Sequence, residues 1–258
     1  MKTVTMAAVV LGAFIVMPAA PSSAANVASA SHRPLHFGPR NTTGTVWGGY
    51  ATETNLTTPQ NGAITDVRGS WTVPTVTCGS GNTYSSSWIG IDGYADKTVE
   101  QTGTEQDCIG GAPQYSAWYE MFPKQTKTIP LVIHPGDVMT SEVQYLGGGK
   151  FLLMLTDTND AANGTFSITQ KMQNAQLQSA EWVVEPPAQG NVNVQGLANF
   201  GTETFTGCSV TINGVTGPID SGQYDPMTLV DANGNVLATP SRLTDNRGTS
   251  SFTFTYSG

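Results

Sequence analysis

Residues 114–122 read QYSAWYEMF, and in an extended chain their side chains alternate between two faces, Trp118 and Glu120 on one, Tyr119 and Met121 on the other. The same short texture, rich in aromatic and β-branched residues, recurs outward from this stretch. It is seen in GSWTVPTVT at 69–77, SSSWIGID at 85–92, KFLLMLTD at 150–157, GTFSITQ at 164–170, AEWVVE at 180–185 and SSFTFTYS at 250–257. Gly, Asn, Asp and Pro punctuate the runs. Gly147-Gly148-Gly149 precedes one, and DANGN at 231–235 lies between MTLV and VLAT, where Asn233-Gly234 suits a hairpin with positive φ. No helical periodicity is sustained after residue 30. Many short strands of this kind predict an all-β fold, an antiparallel two-sheet β-sandwich of jelly-roll type, formed as one domain by residues 46–258.

The 258 residues carry only 12% charge, 11 Lys+Arg against 19 Asp+Glu, for a formal net charge of -8. Average domains carry about 25% charged residues, so Ser, Thr, Asn, Gln and Gly must build much of this surface. Without a basic stripe to neutralise phosphates, nucleic acid is not expected as a partner.

Residues 1–25 have the pattern of a secretory signal peptide: Lys2, an apolar run from Met6 to Met17, and small residues around Ser22 to Ala25. That run is too short to span a bilayer. The mature protein is therefore expected to be secreted, extracellular, off the membrane after signal removal, and monomeric. No acid precedes Glu53, whereas His32, Arg33, His36 and Arg40 cluster, so residues 26–45 form a basic leader that reads as a linker or as a short propeptide lying on an acidic cleft. Export permits a disulfide among Cys78, Cys108 and Cys208, and the expected pair is Cys78 with Cys108. The cysteine spacing and the scattered His32, His36 and His134 match no metal-ligand pattern, so neither metal nor cofactor is expected.

A carboxylate within an apolar strand is costly unless it is paired, hydrogen-bonded or lines a cleft. This singles out Glu120 and, in AEWVVE, Glu185, which shares a face with Glu181 and Val183 opposite Trp182 and Val184. In TVEQTG, Gln101 faces with Val99 and away from Glu100. A strand Glu or Gln is more often solvated surface, and Trp88, Trp118 and Trp182 can equally be core. There is no G-x-S-x-G elbow, no phosphate loop and no dinucleotide fingerprint, and His134 is the only histidine in the body to serve as a base. Carboxyl or carboxamide chemistry on a sheet remains. It allows a peptide hydrolase, a two-carboxylate glycoside hydrolase using Glu120 and Glu185, or a non-catalytic carbohydrate-binding sandwich.

Taken in order, WGGY at 47–50, SWTVP at 70–74, SWIGIDG at 87–93, EQTG at 100–103, YSAWYEMFP at 115–123, PGD at 135–137, AEWVVE at 180–185 and FTGCSV at 205–210 resemble the glutamic peptidases, the eqolisins of peptidase family G1. The resemblance runs from about residue 46 to the C-terminus. It implies a concanavalin-like sandwich and a secreted, metal-independent, acid-acting endopeptidase that takes polypeptide substrates. The family's Gln, in Q-T-G, falls at Gln101, and its Glu, closing A-E-aromatic-x-x-E, falls at Glu185 rather than Glu181. Trp88, Asp92, Trp118 and Glu120 are the expected substrate-cleft residues. Ser116 stands where the family has Asp, and Met121 where it has an aromatic residue, so altered specificity is expected. In the implied mechanism Glu185 is the general base for water and Gln101 stabilises the oxyanion. A base alone would work better as pH rises, so an alkaline limit requires a second carboxyl held protonated, for which Glu120 is the first candidate and Asp92 the second.

Overall fold

Alternation becomes burial most plainly in the Lys150–Asp157 strand, where Phe151, Leu153 and Leu155 are buried and the residues between them half-buried. The computed structural model describes residues 30–31, 42–160, 164–189 and 196–258, with 30–31 and 188–189 as backbone only. The signal segment and most of the basic leader lie outside the described residues. Within them the chain is almost entirely antiparallel strand, with one 3-10 turn at Ile219–Ser221.

Seven strands make one sheet in the order Gln223–Val230, Gly48–Glu53, Ser179–Glu185, Ser86–Ile91, Val99–Ile109, Ala112–Phe122 and Lys127–Ile129. The facing sheet runs Thr165–Lys171, Lys150–Asp157, Val138–Gly147, Ile64–Thr72, Thr202–Ile212 and Thr249–Tyr256. Val236–Pro240 pairs with both Gln223–Val230 and Thr249–Tyr256, stitching the two sheets along one edge. The expected two-sheet sandwich is the observed fold.

The main core lies between the sheets, around Trp71, Trp182, Phe205, Phe252 and Phe254. The Trp182 indole N–H donates to the Arg68 carbonyl at 2.8 Å, tying one sheet to the other. A smaller cluster of Trp47, Trp88, Tyr94, Val99, Trp118 and Val183 sits on the far face of the seven-stranded sheet. That sheet is therefore covered on both faces, which explains why Gly48–Glu53, Ser86–Ile91 and Ser179–Glu185 are buried without alternation.

Several local details differ from the sequence reading. The 69–77 run is only the end of the Ile64–Thr72 strand, which stops two residues before Pro74, where the missing N–H and the restricted preceding residue oppose further pairing. In the 231–235 turn Gly234 has φ 84 while Asn233 does not adopt positive φ. Asp231 holds that turn by accepting the N–H groups of Asn233 and Asn235, each at 2.8 Å. Cys78 and Cys108 are bonded, with Cα atoms 5.4 Å apart, and Cys208 is free and buried.

Candidate active site

Strand register sorts the outer face of the seven-stranded sheet into rows. One row runs Glu120, Gln101, Gly90, Glu181, Ala51 and Asp225. The next runs Trp118, Gly103, Trp88, Val183, Gly49 and Met227. The third runs Ser116, Glu105, Ser86 and Glu185. The sheet thus brings Gln101, Glu120, Trp88, Trp118 and Glu185 to one face.

Gln101, although a strand Gln is ordinarily surface, is fully buried. Its amide Nε2 donates to Glu120 Oε2 at 2.9 Å, and the Thr126 hydroxyl donates to the other Glu120 oxygen at 3.0 Å. Glu120 is therefore an acceptor that fixes which edge of the Gln101 amide faces forward. Glu185 is also buried, two strands over and four residues along, which ordinary sheet spacings put at about 16 Å between Cα atoms.

Trp88 and Trp118 lie in the outer cluster rather than in the core between the sheets. Trp118 Nε1 donates to Ser86 Oγ at 3.1 Å, and Ser86 is the direct strand partner of Glu185. Trp88 stacks edge-on against Trp47 with ring centroids 4.8 Å apart.

Asp92 is placed differently. It ends the Ser86–Ile91 strand with φ 69 and accepts the backbone N–H groups of Gln176, Leu177 and Gln178 at 2.8, 2.8 and 2.7 Å. Its carboxyl clamps a loop. Burial still raises its pKa, outweighing those three donors.

Asp92 belongs to a group of acids not apparent in the sequence as a cluster. Burial, and then repulsion from Asp92, raises Glu53 from 4.5 to about 8 and Asp96 from 3.8 to about 8. Glu181 is fully buried, and desolvation, with smaller repulsions from Asp92, Asp96 and Glu53, holds it well above the usual carboxylate range. Between the sheets, burial lifts Glu203 to about 8 despite the Ser87 hydroxyl donating to it at 2.7 Å. Glu181 had a signal, since it shares the Glu185 face; the others had none. Among the described residues no three of His, Cys, Asp and Glu are grouped to hold a metal ion.

The Glu120 and Glu185 pairing needed by a glycoside hydrolase spans three strand spacings and four residues, about 20 Å between Cα atoms. Carboxyl groups in such enzymes stand about 5 to 9.5 Å apart, so the sheet does not favour that chemistry.

The family profile described as the Peptidase A4 family matches residues 45–253. Scytalido-glutamic peptidase, solved with a transition-state analogue inhibitor, superposes with a TM-score of 0.66 at 21% identity, covering 83% of this chain and 98% of that one. SCP-B, described as a member of the eqolisin family in complex with the tripeptide Ala-Ile-His, gives 0.64 at 21% identity over the same shares of the two chains. Aspergilloglutamic peptidase from Aspergillus niger gives 0.57 at 25% identity, covering 68% of this chain and 99% of that one. No curated protein matches the chain at a significant level.

Proposed function

The chain belongs to the Peptidase A4 family and is a glutamic endopeptidase, and from that premise we propose that it is a secreted, acid-acting enzyme whose dyad is Gln101 and Glu185. The observation that carries this reading is the buried Gln101–Glu120 hydrogen bond on the face shared with Glu185. A side-chain amide carries two N–H donors; one of Gln101's goes to Glu120, and in this mechanism the other turns to the tetrahedral oxyanion when substrate is bound. A neutral amide needs no titration and serves throughout the acid range. Glu185, ionised, takes a proton from water and returns it to the leaving nitrogen. Sharing one water and the scissile carbonyl requires the two side chains to lean toward each other across the Trp88 row, because their Cα atoms are about 16 Å apart. Trp118, oriented by Ser86 beside Glu185, and Trp88 form the floor on which a polypeptide lies.

The basic leader fits this reading as a propeptide. Its Ala30–Ser31 backbone pairs antiparallel with Ala188–Gln189, three residues past Glu185. The excess of acids in the body would hold it until they protonate. N-terminal sequencing before and after acid incubation tests this: a start near Ala25 that persists in acid counts against it.

The principal test is digestion of a denatured protein across about pH 2 to 7, the span in which carboxyls titrate, by the parent, Gln101→Ala and Glu185→Gln. Acid-limited cleavage, insensitive to chelator and reduced about a hundredfold or more in both variants, is expected. Variants as active as the parent would remove the dyad assignment.

A further inference from the structure

We propose that Glu181 is a positioning residue for the oxyanion donor: standing across Gly90 from Gln101, it must be a neutral carboxyl for the Gln101 amide to stabilise negative charge, and its ionisation sets the alkaline limit of catalysis. The inference rests on the reading of Gln101 given above. It answers a question that the dyad leaves open, since a general base alone gives no alkaline limit.

The register is direct: Gly90 pairs with Gln101 on one side and with Glu181 on the other. Gly90 itself puts no side chain between the two; a Cβ added there would lie 3.0 Å from the Gln101 Cβ and 3.2 Å from the Trp88 ring, which leans over the position. Glu181 is wholly buried, and the Ser179 hydroxyl beside it, too poorly placed for a well-formed hydrogen bond, is a donor whose pull is outweighed by desolvation. The ionisable groups acting on it are Glu53 from the neighbouring strand, Asp92 at the end of the other neighbour and Asp96 from the following loop, all acids. Further along its row stand Asp225, which accepts the Tyr94 hydroxyl at 2.8 Å, and Glu120 beyond Gln101. None of these can neutralise a carboxylate at position 181. Such a charge would face the same water-poor patch in which the oxyanion forms, where like charges repel far more strongly than in water.

Glu120 and Asp92, the candidates from sequence for this role, have other duties. Glu120 accepts two hydrogen bonds, and Asp92 clamps the 176–178 loop.

The test is kcat and KM from about pH 2 to 9 for the parent, Glu181→Gln and Glu53→Gln, with circular dichroism at each pH. Glutamine copies the neutral carboxyl. The expected result is a folded Glu181→Gln enzyme with acid kcat within about threefold of the parent, because the amide reproduces the protonated state. Its alkaline limb should move up by a pH unit or more, in kcat rather than KM, while Glu53→Gln, which removes one repulsion from Glu181, does not move the limb up. A Glu181→Gln profile overlying the parent's overturns the inference. So does a folded Glu181→Gln enzyme inactive at every pH, which would transfer the base to position 181. A measurement on the parent alone is equally decisive: if its activity falls only as it unfolds, Glu181 does not set the limit. Loss of activity in Gln101→Ala and Glu185→Gln beside an unmoved Glu181→Gln limb defeats this inference and leaves the dyad standing.

Discussion

Gln101 can act only if its amide is held the right way round, and the holding atom is Glu120 Oε2, at 2.9 Å. Glu120→Leu would leave a buried N–H without its acceptor, at a cost of about 1–3 kcal/mol, and free the amide to turn. The expected outcome is a kcat lower by about tenfold or more with KM little changed, whereas Glu120→Gln, which keeps a carbonyl acceptor, retains most of the activity. Steady-state kinetics on a peptide substrate would decide; equal kcat in the two variants would mean that Glu120 does not orient Gln101. At this scale the sequence was informative where the rule is local. Period two places Glu120 with Trp118 and Glu185 with Glu181 without reference to anything else in the molecule. Burial is not local: nothing near Glu53, Asp96 or Glu203 in the chain announces that loops and the opposite sheet will cover them.

At the scale of the element, strand pairing decides which residues of a shared face meet. Alternation allowed Glu181 and Glu185 equally, but only the pairing with Ser86–Ile91 shows that Glu181 stands in the Gln101 row and Glu185 two rows away. Register depends on partners distant in sequence, so composition and periodicity do not contain it. Gly90 is the point where register meets chemistry. In Gly90→Ala the new methyl would lie 3.0 Å from the Gln101 Cβ, 3.1 Å from the Glu100 carbonyl oxygen and 3.2 Å from the Trp88 ring. The variant should fold with about 1–3 kcal/mol less stability and lose kcat through a displaced Gln101. Unchanged kcat would show that the row tolerates an intervening side chain. The Cys78–Cys108 bond ties the loop before Ser86–Ile91 to the end of Val99–Ile109 across a separation of 30 residues. Replacing both cysteines by serine should lower the unfolding free energy by about 3–4 kcal/mol, read by urea denaturation; a shift below about 1 kcal/mol would show that the loop is already constrained without it.

For the whole molecule the decisive quantity is how many protons the fold holds that the unfolded chain releases. Glu53, Asp96 and Glu203 have ordinary values of 4.5, 3.8 and 4.5 and are raised to about 8 in the fold, with burial the largest cause for each. Below about pH 4 both states are protonated and these groups do not discriminate. Between about pH 4 and 8 the unfolded chain loses the protons and the native state keeps them, so unfolding is favoured progressively as pH rises. Each such proton lowers stability by up to about 1.4 kcal/mol per pH unit. This is the reverse of ordinary acid denaturation, in which ion-paired carboxylates are lost as pH falls. Thermal unfolding followed from about pH 3 to 8 should therefore show Tm highest in acid and falling toward neutrality. Glu203→Gln, which keeps an acceptor for the Ser87 hydroxyl and removes one titration far from Gln101's face, should flatten that fall by about one proton without moving the pH dependence of kcat. A Tm that is flat or rises over this range would mean that the buried acids are ionised in the fold, and the same measurement would then deny Glu181 the neutral state on which its role depends.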